Sequence, residues 1–206
     1  MAYEFNGTSQ YLSGGVVVTA VPMTYSAWFD TDRSSGYEAW MTQSLTALTD
    51  HFFGDISGLQ VRAEQRGNTV GAVALSSSFT TGQWRHACSV FTSNASRTAY
   101  VDGVAGTPNT SSLTQTANPT NLNIGARTRS STDGYFDGDL AECAIWNVAL
   151  TAAEITALAK GFSPRRIRPQ SLLFYAPLVR DIADFRAALA LTNNNTATVS
   201  THPRVY

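Results

Sequence analysis

Short runs of alternating apolar and polar residues, separated by Gly, Asn, Asp and Ser about every ten positions, dominate the chain. Residues from Tyr3 to about Phe29 give two or three strands, with Gly14-Gly15 as a turn and Val16-Val17-Val18 as a β-branched run. Pro22 belongs to a connection, because it has no N–H to donate to a ladder. Thr31 to Glu38 predicts a loop. Ala39 to Phe53 admits a strand with a loop or a short helix, and the strand-rich context favours strands. Leu59–Ala63 and Thr69–Leu75 alternate on either side of Arg66-Gly67-Asn68 and predict a hairpin. Trp84–Phe91 and Ser96–Val104 form the next pair, ending in the Asp102-Gly103 turn. Residues 105–120 are polar and loop-rich, and Leu122–Gly125 is again a strand.

The period changes once, inside the stretch from Asp133 to Gly161. Leu140, Ala141, Cys143, Ala144, Ile145 and Trp146 form a buried strand interrupted only by Glu142, entered through Asp133, Gly134, Asp137 and Gly138. Thr151 and Glu154 then make a capping box, in which hydroxyl and carboxylate each satisfy a free backbone group. Ile155 and Leu158 follow at helical spacing, Lys160 sits at the negative end of the dipole, and Gly161 supplies a left-handed cap. So short a helix does not stand alone in water and must pack on a sheet. The pattern as a whole predicts an all-β fold: two packed antiparallel sheets with one short helix.

From Phe162 the composition shifts. Ser163 to Gln170 is basic and proline-bounded, an extended connector. Leu172–Tyr175 reads as a strand, Asp181–Leu191 as a short helix, and Asn193–Tyr206 as an extended arm, packed on its own domain or on a neighbour. The expected organisation is one sandwich over 1–161 and a C-terminal extension over 162–206.

With 14% charged residues and a net charge of −1, the chain has no field to gather nucleic acid or anionic lipid. No apolar run is long enough to span a membrane, and Met1 leads straight into a strand pattern rather than a basic and apolar leader. Without an export signal, the Asn6, Asn94, Asn109 and Asn194 tripeptides read as turn composition. Cys88 and Cys143 read as buried thiols, with a bridge between them left open.

The run Phe136-x-Gly138-x-Leu140-x-Glu142, then Ile145-Trp146-Asn147 and Ala149-Leu150-Thr151 with Glu154-Ile155, resembles the closing strand and helix of laminin-G-like and pentraxin-like jelly rolls of the concanavalin A-like group. Phe5–Leu12, Met23–Phe29, Trp84–Cys88, Ala99–Gly103 and Leu122–Gly125 resemble further strands of that family, in order; the resemblance implies a two-sheet jelly-roll sandwich over 1–161 with the Leu172–Tyr175 strand beside the N-terminal one. The resemblance places Cys88 at a pentraxin-like cysteine whose partner position falls near Ser26, which cannot bridge. It also implies an acidic, calcium-holding run after Ile124-Gly125, where this chain has Ala126, Arg127, Thr128 and Arg129. A cation site built instead from Asp133, Asp137 or Asp139 stays open beside the plainer reading, an acidic turn facing Arg127 and Arg129. The terminal His202-Pro203-Arg204-Val205-Tyr206 resembles small phage and prophage virion proteins.

None of the common catalytic motifs is present, so no catalytic residue and no cofactor is assigned. Of the three histidines, His86 reads as scaffold. Asp137 and Asp139, at i and i+2, are the nearest pair of acids a glycoside hydrolase would need, and flanking Gly138 they also suit a turn. Trp28, Trp84 and Trp146 read as core. Tyr37, Trp40 and Tyr135, with Arg127, Arg129 and Asp133, are the candidate ligand contacts, because sugars take aromatic faces and fork-like polar groups. Arg165, Arg166, Arg168, His202, Arg204 and Tyr206 are the candidate partner contacts. The expected function is a non-enzymatic virion component, a decoration or fibre-like module that also touches glycans and is located on the particle; the alternatives are a free-standing lectin and a glycoside hydrolase.

Overall fold

The computed structural model describes residues 2–45, 51–202 and 205–206 and is a two-sheet antiparallel sandwich. Its first strands are β1 (Ala2–Asn6), β2 (Tyr11–Gly15), β3 (Met23–Thr31), β4 (Tyr37–Ser44), β5 (His51–Ser57), β6 (Gln60–Gly67) and β7 (Val70–Ser78). Next come β8 (Arg85–Ser93), β9 (Ser96–Val101), β10 (Val104–Ala105), β11 (Asn121–Ile124), β12 (Arg127–Thr128), β13 (Thr132–Asp133) and β14 (Asp137–Trp146). Helix α1 (Ala152–Ala159) precedes β15 (Leu172–Ala176), β16 (Thr192–Asn194) and β17 (Thr198–Ser200). Among the described residues one sheet runs β10-β9-β8-β3-β14-β1-β17 with β15 also on β14, and the other runs β16-β2-β11-β4-β5-β6-β7. The ambiguous stretch 39–53 is strand on both sides, and its residues 46–50 lie outside the described residues. The hairpin between β6 and β7 turns on Asn68 and Thr69, both at positive φ, one residue later than expected.

β14 bonds β3 along one edge and, along the other, β1 through residues 137–140 and then β15 through 143–146. The two halves meet at a bulge centred on Glu142, whose φ is 55°. The main core between the sheets takes Leu140, Cys143 and Ile145 from this strand. Its other face carries a second core, in which Ala144 and Trp146 pack with Cys88, Val90, Ile155 and Leu158. That second core is the reason for α1: the capping box of Thr151 and Glu154 starts it, Gly161 ends it at φ 87°, and its buried face is Ile155 and Leu158. The cysteines belong to different cores on opposite faces of one sheet, so both are free thiols. Ser26 is the direct cross-strand neighbour of Cys88, and its hydroxyl meets His86 Nε2 at 2.8 Å.

Residues 162–206 are part of the sandwich. β15 joins β14 rather than β1, β17 takes the place beside β1, and β16 extends the other sheet beyond β2. The arm therefore packs on its own domain: Tyr206 N–H donates to the Gly161 carbonyl at 2.6 Å and the Tyr206 carbonyl accepts from Ser163 N–H at 2.9 Å. His202 lies 3.1 Å from Glu142, which also accepts the Tyr175 hydroxyl at 2.6 Å. Arg168 pairs with Glu154. As a partner contact His202 is thus corrected to an internal one; Arg165, Arg166 and Arg168 are exposed, and Arg204 lies outside the described residues. The helix expected over 181–191 does not form. Asp184 takes the N–H groups of Tyr175, Arg186, Ala187 and Leu189 at 2.9–3.1 Å, a loop arrangement that competes with helical bonds. The polar stretch 105–120 is held by Arg97, wholly buried, which donates to Asn109 Oδ1 and to the carbonyls of Asn94 and Ser111.

Two expected outcomes follow from these contacts. His202→Ala removes one of the two contacts of the Glu142 carboxylate, leaving the Tyr175 hydroxyl, and should cost about 1 kcal/mol, with early proteolysis near the C-terminus; an unchanged denaturant midpoint would show that the contact holds nothing. Burial lowers the His86 pKa to about 3. The unfolded imidazole protonates near pH 6.5, so this contribution is complete above that pH and is lost as pH falls toward 3. Between pH 6 and 4 the wild type should lose stability relative to His86→Gln by about 1.4 kcal/mol per pH unit; parallel curves would exclude it.

Candidate functional site

Strand alternation decides what the outer face of the seven-stranded sheet carries. With Phe52 and Ile56 in the core, His51, Phe53 and Asp55 point the other way; with Val61 and Ala63 in the core, so do Arg62 and Glu64. These side chains form one continuous ionic row. His51 Nε2 meets Glu64 Oε1 at 3.1 Å, Arg62 reaches Glu64 Oε2 at 2.7 Å, and Arg62 Nε lies 3.0 Å from Asp55 Oδ1. The His51 ring stacks flat on Phe53 with centroids 3.8 Å apart. Tyr37 closes the row, with Arg62 on its ring at 5.5 Å and Arg127 at 4.0 Å.

A short hairpin, β12–β13, folds back over this floor and is tied to β4 through Thr42, whose hydroxyl donates to the Ala126 carbonyl at 3.0 Å. Its two arginines converge on one carboxylate: Arg127 Nε and Arg129 Nη2 both bond Asp133, the latter at 2.7 Å. Those two guanidiniums outweigh partial burial and hold the Asp133 carboxyl below its ordinary range. The oxygens of Asp133 are therefore given to arginine, as the plainer reading of this acidic turn expects. Next to the hairpin, Tyr135 and Tyr11 lie half-buried with ring centroids 6.1 Å apart. Ser13 and Asn194 continue this surface, the Asn194 amide donating to the Ser13 hydroxyl at 2.9 Å.

Beneath the hairpin the chemistry is dominated by burial. Asp55 is wholly buried, and desolvation pushes its pKa well above the carboxylate range in spite of Arg62. Burial likewise raises Tyr37 and lowers His51. His51 is therefore neutral, its Nε2–H donating to Glu64, whose ionised form is favoured by Arg62 and Arg127 against its own burial. Among the described residues, none makes an aligned hydrogen bond to the Tyr37 hydroxyl, either Asp55 oxygen or His51 Nδ1.

Of the expected ligand residues the fold gathers Tyr37, Arg127, Arg129, Asp133 and Tyr135 at one place. Trp40 is corrected: it is wholly buried, its indole lying across β5 where Gly54 leaves no Cβ in the way. Trp28 and Trp84 are the tryptophans that stay half-exposed, because they sit outside the two cores. The residues missed were Tyr11, His51, Asp55, Arg62 and Glu64. Their signal was the i, i+2, i+4 run of His51, Phe53 and Asp55 facing a matching run of Arg62, Glu64 and Arg66 across one turn.

Asp137 and Asp139, the pair singled out by spacing, do not share a partner. Asp139 stands in one row across three strands with Glu4 and Asp30, lining a cavity of 140 Å³ with Asp32, whereas Asp137 faces Arg33 at 3.9 Å. Burial and the neighbouring acids raise both Asp30 and Asp139. Glu38, raised to about 7 by burial, has its oxygens filled by the Thr31 hydroxyl and the Asp137 N–H. The Ser26–His86 pair is buried, and among the described residues His86 Nδ1 has no carboxylate.

No curated protein sequence matches the chain. Solved structures do. A native heptameric SAP-like pentraxin from Limulus polyphemus has a TM-score of 0.68 at 13% identity, over 98% of this chain and 94% of that one. A putative carbohydrate binding protein from Bacteroides ovatus has a TM-score of 0.70 at 16% identity, over 98% of this chain and 59% of that one. The Ruminococcus gnavus IT-sialidase CBM40 bound to α2,3-sialyllactose has a TM-score of 0.56 at 13% identity, over 77% of this chain and 98% of that one. At such identities these likenesses show the fold. Residues 5–156 match the family model itself, and the chain belongs to the concanavalin A-like lectin/glucanases superfamily.

Proposed function

We propose that the protein is a non-catalytic carbohydrate-binding module that holds a glycan at the hairpin-covered outer face of the seven-stranded sheet. The observation that carries this reading is the Tyr11–Tyr135 pair beside the Arg127–Asp133–Arg129 fork. Half-buried tyrosine rings offer flat faces to a sugar, and the fork offers guanidinium donors held in fixed directions by Asp133. The ionic row beneath keeps that surface stiff, so little ordering entropy opposes binding. The sialyllactose-bound CBM40 and the putative carbohydrate binding protein that share this fold support the same class of ligand. A hydrolase reading is weaker, because Glu38 is enclosed and Asp137 and Asp139 face different partners.

Display of this module on a phage particle is a further part of the proposal, motivated by the terminal sequence alone. Attachment would use the exposed Arg165, Arg166 and Tyr206 side chains rather than a free arm, since the arm is consumed inside the fold. Mass spectrometry of purified particles from a producing strain should contain the chain; particles without it would sink this part and leave the glycan reading standing.

On a glycan array the full chain should bind a defined subset of sugars. Tyr135→Ala and Asp133→Ala should each weaken that binding about tenfold, near 1.4 kcal/mol, with unchanged melting in Tyr135→Ala. An empty array, or binding indifferent to both variants, would defeat the assignment.

A further inference from the structure

The C-terminal extension builds a second concave site by itself. A cavity of 170 Å³ is lined by Arg165, Pro169, Leu172, Tyr175, Phe185 and Arg186. One wall is aromatic: the Tyr175 and Phe185 rings lie 6.5 Å apart at 52°, and Phe185 remains 51% exposed. The open Phe185 ring offers a flat apolar face at the mouth of the cleft.

The cations at this cleft are uncompensated. Arg186 donates through Nε to the Leu172 carbonyl at 2.8 Å, which fixes its stem and leaves the two terminal nitrogens of the fork. Arg165 stands on a short turn begun by Ser163 and Pro164, close enough to Tyr175 to act on its hydroxyl. Each nearby acid is spent elsewhere. Asp184 is filled by four backbone N–H groups, Glu142 by Tyr175 and His202, and Glu154 by Arg168. Among the described residues neither Arg165 nor Arg186 has an ion-pair partner. Planar guanidinium forks match a carboxylate bidentately. A cavity of about 150 Å³ accepts one six-membered ring, so this one has room for a ring and little more.

We propose that this pocket binds a carboxylate carried on a six-membered ring, with the ring against Phe185 and Tyr175 and the carboxylate between Arg165 and Arg186. Two sources share that chemistry, an acidic sugar unit and an aromatic acid. The site is separate from the hairpin face and does not depend on it.

Calorimetric or NMR titration of the full chain with glucuronate, phenylacetate, glucose and inorganic phosphate tests the proposal. One of the two ring acids should bind with a dissociation constant of about 1 mM or tighter, glucose and phosphate markedly more weakly, and the stronger acid identifies the source. Arg165→Gln, on an exposed turn, should weaken that acid about tenfold without altering melting, and Phe185→Ala should do the same. No saturable binding of either ring acid, phosphate binding as tightly as the acids, or ring-acid affinity unchanged in Arg165→Gln would each overturn it.

Discussion

The fold depends on one strand being used on all four sides. β14 is hydrogen-bonded along both edges and buried on both faces, and each use excludes an alternative. Burial on the inner face fixes its register, because a slip by one residue would exchange Leu140, Cys143 and Ile145 for the opposite set. Burial on the outer face requires a cover, which α1 and the connector after it provide. The shared edge requires β1 and β15 to meet end to end, and the bulge at Glu142 is where they do. The extra residue of a bulge is re-aimed out of the pleat. Here it carries the carboxylate to Tyr175 and His202, so the irregularity of the central strand is also what seats the last segment of the chain.

This explains what could be read from the residues and what could not. Strands, helix and cap of the stretch 133–161 were legible because local rules and burial agree there. The role of Glu142 was visible only as a polar interruption of an apolar run; its purpose depends on His202, sixty positions away. The extension was harder for the same reason. Three short strands, each bonded to a distant one, leave almost no local periodicity, and Asp184 cancels the helical signal of 181–191 by capturing the N–H groups a helix would use. Trp40 shows the converse error. A tryptophan next to a predicted loop looked available, but Gly54 on the neighbouring strand gives its indole a place inside.

The outer face of the other sheet obeys a different constraint. An antiparallel sheet tolerates water on one side, yet here that side buries Asp55, Glu64 and His51 under a hairpin. A buried ionic row costs desolvation that its pairing only partly offsets. What it adds is direction: Arg62 and Arg127 are held against the Tyr37 ring, and Arg127 and Arg129 against Asp133, leaving few alternative arrangements of similar energy.

The same logic separates holding from converting. A catalytic acid needs access to substrate as well as a shifted pKa. Burial shifts Glu38, Asp55 and His86, and in each case the burial that causes the shift also encloses the group. The groups that reach the surface near the hairpin are the opposite kind, paired arginines and an acid held ionised, with tyrosine rings beside them. Such a surface presents constant charge and shape across the neutral range, which suits recognition. Glu38, Asp55 and His86 then register the cost of enclosure, whereas Asp30 and Asp139, raised as well, line an open cavity on the other sheet.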